Sequence, residues 1–388
     1  MENKNLKVIE NAKVVLENGI IWDGVIVIEG EKILSFGKTG EVELPEGAEH
    51  IDAKGAYVGP GFVDIHVHGG GGTNTYEDPV KTANFFLSHG ETTILATPAY
   101  MMNFEEFLAG IRTVKESLDK TPNVRGFYME GPYTNGNYGC NKDLYSWGGE
   151  IKEEHYKALV DEGGELARVW TIAPERAKDG LVDFLKYARK VNPDTVFAVG
   201  HSEALPSEIR ALGKFRPTLQ THSMNATGRL KVPGGTRAYG PDEYCFREPD
   251  VYCELISDSL GIHVNCEMQQ LLLHTKGVHR VVLVSDSTNY HYPNPERFAN
   301  VTDLNFDARG GIAGSKLTMD KACKNVMSHT NCGIAQAFLM ASTNPAKAVG
   351  FYDELGSIEK GKRADLVFVD DVFNVKEVML GGEICKFN

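Results

Sequence analysis

Gly59-Pro60-Gly61-Phe62-Val63-Asp64-Ile65-His66-Val67-His68-Gly69 is a strand-sized apolar run that ends in two histidines one residue apart, followed by the glycines Gly69 to Gly72. On a strand, residues i and i+2 point to the same face. Both imidazoles therefore project together at the strand's carboxyl end, where they can share one cation at ~2.1 Å. A lone His-x-His pair is more often two satisfied or solvent-facing histidines, so the weight has to come from the rest of the chain.

Outward from this stretch, between about Pro60 and Gly350, β-type apolar runs alternate with amphipathic helix-type segments, the pattern of parallel strands joined by crossovers. The strand candidates are Phe62 to Val67, Thr92 to Thr97, Val124 to Met129, Val169 to Ile172, Val196 to Val199, Thr218 to Thr221, Tyr252 to Ile256 and Val281 to Val284. Helix candidates between them include Pro79 to Ser88, Phe104 to Leu118, Leu181 to Lys190 and Asn265 to His274. Eight strand-helix units over roughly 290 residues match a (β/α)8 barrel in count and length. A doubly wound open sheet is the competing topology.

The two ends of the chain have a different texture. Residues 1–58 read as short strands separated by Asn18-Gly19, Asp23-Gly24 and Glu29-Gly30, and 356–388 repeat it with the run Ala364 to Val369 and a hairpin around Gly381-Gly382. The expected division is a small β-sandwich domain from 1–58 and 356–388, and a barrel domain over 59–355.

The chain has 388 residues, 42% hydrophobic and 24% charged, an ordinary globular balance. Its 40 Lys+Arg against 53 Asp+Glu give a net charge of −13, a poor footprint for nucleic acid or an anionic membrane. An anionic substrate would have to be held by local cations or a metal. Apolar stretches are strand-sized rather than the ~20 residues of a membrane span, and Met1-Glu2-Asn3-Lys4-Asn5 opens no hydrophobic leader. A soluble cytoplasmic protein is expected. The seven cysteines form no Cys-x-x-Cys arrangement and read as free thiols.

Several later strand candidates also end in a ligand-type residue. Val124 to Met129 leads into Glu130, Val196 to Gly200 into His201, Thr218 to Thr221 into His222, and Val281 to Ser285 into Asp286. Strand carboxyl ends of a barrel converge on one mouth. Each residue has a bland alternative: Glu130 as a helix cap, His201 bonded to backbone, Asp286 as an N-cap. Five such coincidences are less probable than one shared site, and three or four histidines with carboxylates suit zinc, or else iron, manganese or cobalt.

These segments, with Glu130-Gly131-Pro132-Tyr133, Gly200-His201-Ser202, Thr221-His222, Asn225-Ala226, His263-Val264, Ser285-Asp286, Ala313-Gly314-Ser315, Asn344-Pro345-Ala346 and Gly361-Lys362-Arg363-Ala364-Asp365-Leu366-Val367, run in the order of a known family over essentially the whole length. The chain resembles the amidohydrolase superfamily and is similar to its N-acetylglucosamine-6-phosphate deacetylases. The resemblance implies a TIM-like barrel with a β-sandwich built from both ends. It implies that Glu130, His201 and His222 hold one divalent metal, that His66 and His68 can hold a second with Glu130 bridging, and that Asp286 is the catalytic acid/base. Substrate contacts fall to Asn225, Ala226, His263 and Asn141.

The chemistry fits amide hydrolysis, because a metal lowers the pKa of bound water from 15.7 towards ~7 and polarises a carbonyl. No Gly-x-Ser-x-Gly elbow supports a serine nucleophile. For a sugar phosphate, Arg229 is the first choice of cation, since guanidinium grips phosphate bidentately, with Lys231 and Arg237 as substitutes. The family's arginine can reach a neighbouring subunit, which implies a homodimer.

The chain departs from the family pattern in three places. The spacing from Asn225 to Arg229 is short, Asn141 stands where a histidine is usual, and the usual Asp-Gly-x-His-Val is stretched to Asp258-Ser259-Leu260-Gly261-Ile262-His263-Val264. Alternatives are therefore another N-acetylhexosamine phosphate such as the galactosamine form, another amide hydrolase of the superfamily, and a catalytically silent sugar-binding relative.

Overall fold

In the structure, a computed structural model that describes residues 5–228 and 239–387, the eight expected strands form one sheet in sequence order. They are β1 (Phe62–Val67), β2 (Glu91–Ala96), β3 (Val124–Tyr133), β4 (Ala167–Ile172), β5 (Val196–Val199), β6 (Leu219–Gln220), β7 (Tyr252–Leu255) and β8 (Val281–Leu283). All neighbours pair in parallel.

The ring closes beyond β8, where Val67 and Ser287 bridge. Asp286 N–H donates to the His66 carbonyl at 3.0 Å, and His68 and Gly69 N–H both donate to the Ser287 carbonyl at 2.9 Å. Unbroken sequential order and this closure exclude the doubly wound sheet and establish the TIM-like barrel. The seam is stitched by residues that also carry chemistry. Asp64, buried in β1, accepts the Ser285 N–H at 3.2 Å and the His66 N–H at 3.1 Å.

Helices pack outside the strands, and their ends obey local rules. Pro79–Ser88 starts with Asp78 accepting the Lys81 N–H at 3.0 Å and with proline in the first position. Phe104–Lys115 opens with a capping box between Asn103 and Glu106. Inside the ring, Ile65, Leu95, Tyr128, Val169, Ala198, Leu219 and Val282 pack together, with Val349, Phe351 and Leu355 in the same cluster.

The chain ends build the second sheet from Leu6–Leu16, Gly19–Glu29, Lys32–Lys38, Glu49–Asp52 and Tyr57–Pro60, joined by Leu366–Val369, Val375–Leu380 and Glu383–Ile384. It curls over its own core of Ile9, Val14, Ile26, Val58, Leu366 and Phe368. Its far edge returns to the chain before Leu366, with Ile33 N–H on Lys362 C=O at 2.9 Å and Gly361 N–H on Ile33 C=O at 2.8 Å.

One expected turn is corrected: Asp23-Gly24 lies within the strand Gly19–Glu29, at a register shift against Ala12 and Val14. A Cβ on Gly24 would sit 2.7 Å from Val14 Cγ2, so glycine serves close packing at a bulge rather than a chain reversal. All seven cysteines are free. Among the described residues no helix is long and apolar enough to cross a membrane.

Asn344, in the Asn-Pro-Ala motif, is buried and donates from Nδ2 to both Val278 and Val281 carbonyls at 2.7 Å, fixing the entrance to β8. Asn344→Ala strands those two acceptors. We expect it to destabilise the fold by roughly 1–3 kcal/mol in a denaturant titration, with metal content unchanged.

Candidate metal centre

Two buried triads meet at the barrel mouth. Glu130, His201 and His222 form one, and His66, His68 and Asp286 the other. Glu130 joins them: Oε1 lies 2.9 Å from His201 Nε2 and 3.1 Å from His222 Nε2, while Oε2 lies 3.1 Å from His68 Nε2 and 3.5 Å from His66 Nε2. Asp286 Oδ1 completes the second triad at 3.4 Å from His68 Nε2 and 3.7 Å from His66 Nε2.

Strand alternation sets this up. Phe127 and Met129 pack outward, in the cluster that also holds helix residues such as Phe107 and Leu159, so Tyr128 and then Glu130 face inward. Val67 packs outward between the two inward histidines, the alternation of β1 having slipped at the register shift between Asp64 and Val67. His201, His222 and Asp286 each follow a barrel strand with φ of +45°, +26° and +46°. Left-handed backbone at three non-glycine residues is a local cost that the surrounding structure must hold in place, and such strain gathers at functional sites.

The donor set fits a divalent cation and fits protons poorly. His201 Nδ1 faces the Tyr138 carbonyl at 3.0 Å and His222 Nδ1 faces the Asn225 carbonyl at 3.2 Å, so both Nδ1 atoms donate. Their Nε2 atoms then carry lone pairs, yet they stand 3.0 Å from each other and close to a carboxylate. Protonating both would put two cations face to face. One divalent ion supplies the charge without that repulsion, and outer carbonyls orienting the rings are the usual support for ligating histidines.

The titration shifts report the same demand. Burial disfavours the Glu130 carboxylate, but the charges of His66 and His201 and the hydrogen bonds from His201 and His222 hold it well below its usual range. Burial opposes charge on His66, His68 and His222, and Glu130 and Asp286 overcome it and raise all three.

The cleft beside these triads is lined by His68, Glu130, His201, His222 and Asp286 together with the expected Asn225, Ala226 and His263. His263 is held by the stretched segment, which folds as a tight loop around Asp258. That carboxylate accepts N–H groups from Leu260 at 3.2 Å, Ile262 at 2.9 Å and His263 at 2.7 Å. Asn141 is not part of the lining: Gly139 and Cys140 are, and the Asn141 N–H is bonded to the Asp307 carboxylate at 3.2 Å. Arg229, Lys231 and Arg237 lie outside the described residues.

Sequence reasoning passed over Tyr76, Tyr100 and Tyr290, which wall the cleft from loops where no periodicity marks them. It also passed over Glu254, a charged residue within a buried apolar strand, and that mismatch was the available signal.

Residues 57–385 match the model described as Amidohydrolase family. The chain is similar to the N-acetylglucosamine-6-phosphate deacetylase of Bacillus subtilis (strain 168), 26% identical with 97% of this chain and 96% of that protein covered. It is also similar to the N-acetylgalactosamine-6-phosphate deacetylase of Escherichia coli O157:H7, at 27% identity over 84% of this chain and 87% of the relative. The crystal structure of N-acetylglucosamine-6-phosphate deacetylase from Pasteurella multocida superposes with a TM-score of 0.84 at 25% identity, covering 98% of this chain and 99% of that one.

Removing the bridging charge should empty the centre. Glu130→Gln is expected to lower metal content per chain by at least tenfold in elemental analysis. In the unaltered protein, metal should be released as pH falls, because protons compete for ligand nitrogens that Glu130 and Asp286 make more basic than free imidazole. Metal retention by Glu130→Gln would contradict the assignment.

Proposed function

The chain belongs to the amidohydrolase family, and from that premise we propose that it hydrolyses the acetamide of N-acetylglucosamine 6-phosphate to glucosamine 6-phosphate and acetate. The observation that carries this reading is the joining of two acceptor triads through one buried carboxylate, with Asp286 at the edge of the cleft.

Glu130, His201 and His222 would hold a divalent ion, zinc first among zinc, iron, manganese and cobalt, and His66 and His68 a second beside Glu130. Such an ion supplies Lewis acidity that polarises the acetyl carbonyl and makes water a nucleophile near neutral pH.

The rest of the work falls to the chain. Burial pushes the Asp286 carboxyl up, but the charge of His66, the hydrogen bond and charge of His68 and the charge of His222 hold it below its ordinary value. Asp286 is therefore ionised at neutral pH and free to accept a proton from the attacking water. Delivering that proton to the departing nitrogen turns a poor leaving group into a neutral amine, so that the tetrahedral intermediate collapses forward. Water and amide give amine and acetic acid, and the atoms balance. Asn225, Ala226 and His263 line the cleft beside Asp286 and would orient the sugar. His263 Nδ1 is buried without a hydrogen-bond partner among the described residues, 3.5 Å from Asp258 Oδ2.

The phosphate would be met by Arg229, or by Lys231 or Arg237, and a homodimer is expected if that cation reaches a neighbouring subunit. A second reading is N-acetylgalactosamine 6-phosphate. It is supported by the relative of that name at 27% identity and by Gly139 and Cys140, rather than a histidine, on the cleft wall.

Acetate release from the two phosphorylated epimers and from unphosphorylated N-acetylglucosamine tests the substrate. We expect a clear preference for a phosphorylated sugar, and equal rates with and without phosphate would remove the phosphate reading. Asp286→Asn should lower kcat on the order of 10²-fold or more while the metal position at Glu130, His201 and His222 stays filled. Unchanged turnover would remove Asp286 from its role.

A further inference from the structure

Glu254 sits in β7 between Cys253 and Leu255, which pack outward, so its side chain points into the barrel, where it is fully buried. Its Oε2 accepts the His222 N–H at 2.9 Å and faces His66 Nδ1 at 3.2 Å. Its Oε1 has no hydrogen-bond partner among the described residues, and neither has His66 Nε2 on the far side of the imidazole. Tyr128 stacks on that ring with centroids 4.3 Å apart and planes 18° from parallel, holding its plane. One buried carboxylate oxygen therefore touches a residue of each triad.

We propose that Glu254 is a positioning residue that couples the two metal positions, by fixing the His66 tautomer and the His222 backbone through the same oxygen. A carboxylate oxygen 3.2 Å from Nδ1 requires a hydrogen on that nitrogen, since two lone pairs would repel there. The lone pair of His66 is then on Nε2, the atom directed at Glu130 and Asp286. The same oxygen holds the N–H of His222, whose φ of +26° is far from any relaxed value.

Glu130, Asp286 and Glu254 are buried carboxyl groups that face the imidazole of His66. Removing an outer partner of a ligating histidine typically costs 10- to 100-fold in metal affinity.

The inference rests on the metal-hydrolase reading but not on the sugar, and its test uses no substrate. Titration of the metal-free protein with Zn²⁺ by calorimetry should show two binding events. In Glu254→Gln the amide oxygen can still accept both N–H groups but no longer carries the charge that makes the His66 imidazole a better ligand, so the event at His66 should weaken 10- to 100-fold and the other should change much less. His66→Asn should weaken the same event, and the double variant should lose no more than the larger single loss, because both act through one ring.

A long-range ¹H–¹⁵N spectrum of the metal-free wild type should show His66 protonated at Nδ1, a readout that a purely structural role of Glu254 leaves open and that needs no variant to fold. The proposal is overturned by a single zinc event in the wild type, by unchanged affinities in Glu254→Gln, or by a His66 Nδ1 that carries no proton. Loss of deacetylase activity alone would bear on the substrate reading and leave this one standing.

Discussion

Glu130 is the interaction on which the mouth of the barrel depends. It is a buried anion whose two oxygens face different pairs of histidines, His201 and His222 on one side and His66 and His68 on the other. A carboxylate in that position is tolerable only with compensating positive charge. Among the described residues the cleft wall contains no lysine or arginine, so the compensation has to come from the histidines or from an ion held by them. The carbonyls behind His201 and His222 commit those rings to Nδ1–H, which leaves the ion as the better answer.

The barrel makes this arrangement possible because it converts sequence-distant strand ends into spatial neighbours. His66 and Asp286 are joined by a backbone hydrogen bond of 3.0 Å across the seam, although 220 positions separate them in the sequence. Closure and site assembly are therefore one event: the bonds that finish the ring between β1 and β8 also place Asp286 beside His66 and His68. The left-handed backbone at His201, His222 and Asp286 belongs to the same economy, since a residue that leaves a strand end abruptly can turn its side chain back over the mouth. The strain is held by the rigid sheet beneath.

Much of this was legible in the sequence because each candidate ligand side chain lies at, or within two residues of, the end of a strand-like run, and a strand's direction is easily read. The strands themselves are short, buried on both faces and bounded by clear helix signals such as Asp78-Pro79 and Asn103 to Glu106. Legibility failed where direction is not set by periodicity. Within the loop after β3 no periodicity marks which residue lines the cleft, and Gly139 and Cys140 do so while the Asn141 side chain donates to the Cys140 sulfur. Asp23-Gly24 reads as a turn by composition, yet glycine serves a bulge equally well, and only the register against Ala12 and Val14 tells them apart.

The shape of the remaining cleft separates two tasks. The two triads present histidine and carboxylate to the cleft, suited to a reacting amide, and Tyr76, Tyr100 and Tyr290 add rings to its wall, Tyr100 with its centroid 5.4 Å from that of His201. Burial raises the hydroxyl pKa of each of these tyrosines, so they remain neutral donors at any working pH. Neutral rings with fixed donors suit a polyhydroxylated ring better than an anion, because they add hydrogen bonds and apolar surface without charge. In a protein of net charge −13, an anionic group on any ligand would have to be met by local cations, because the overall field repels it.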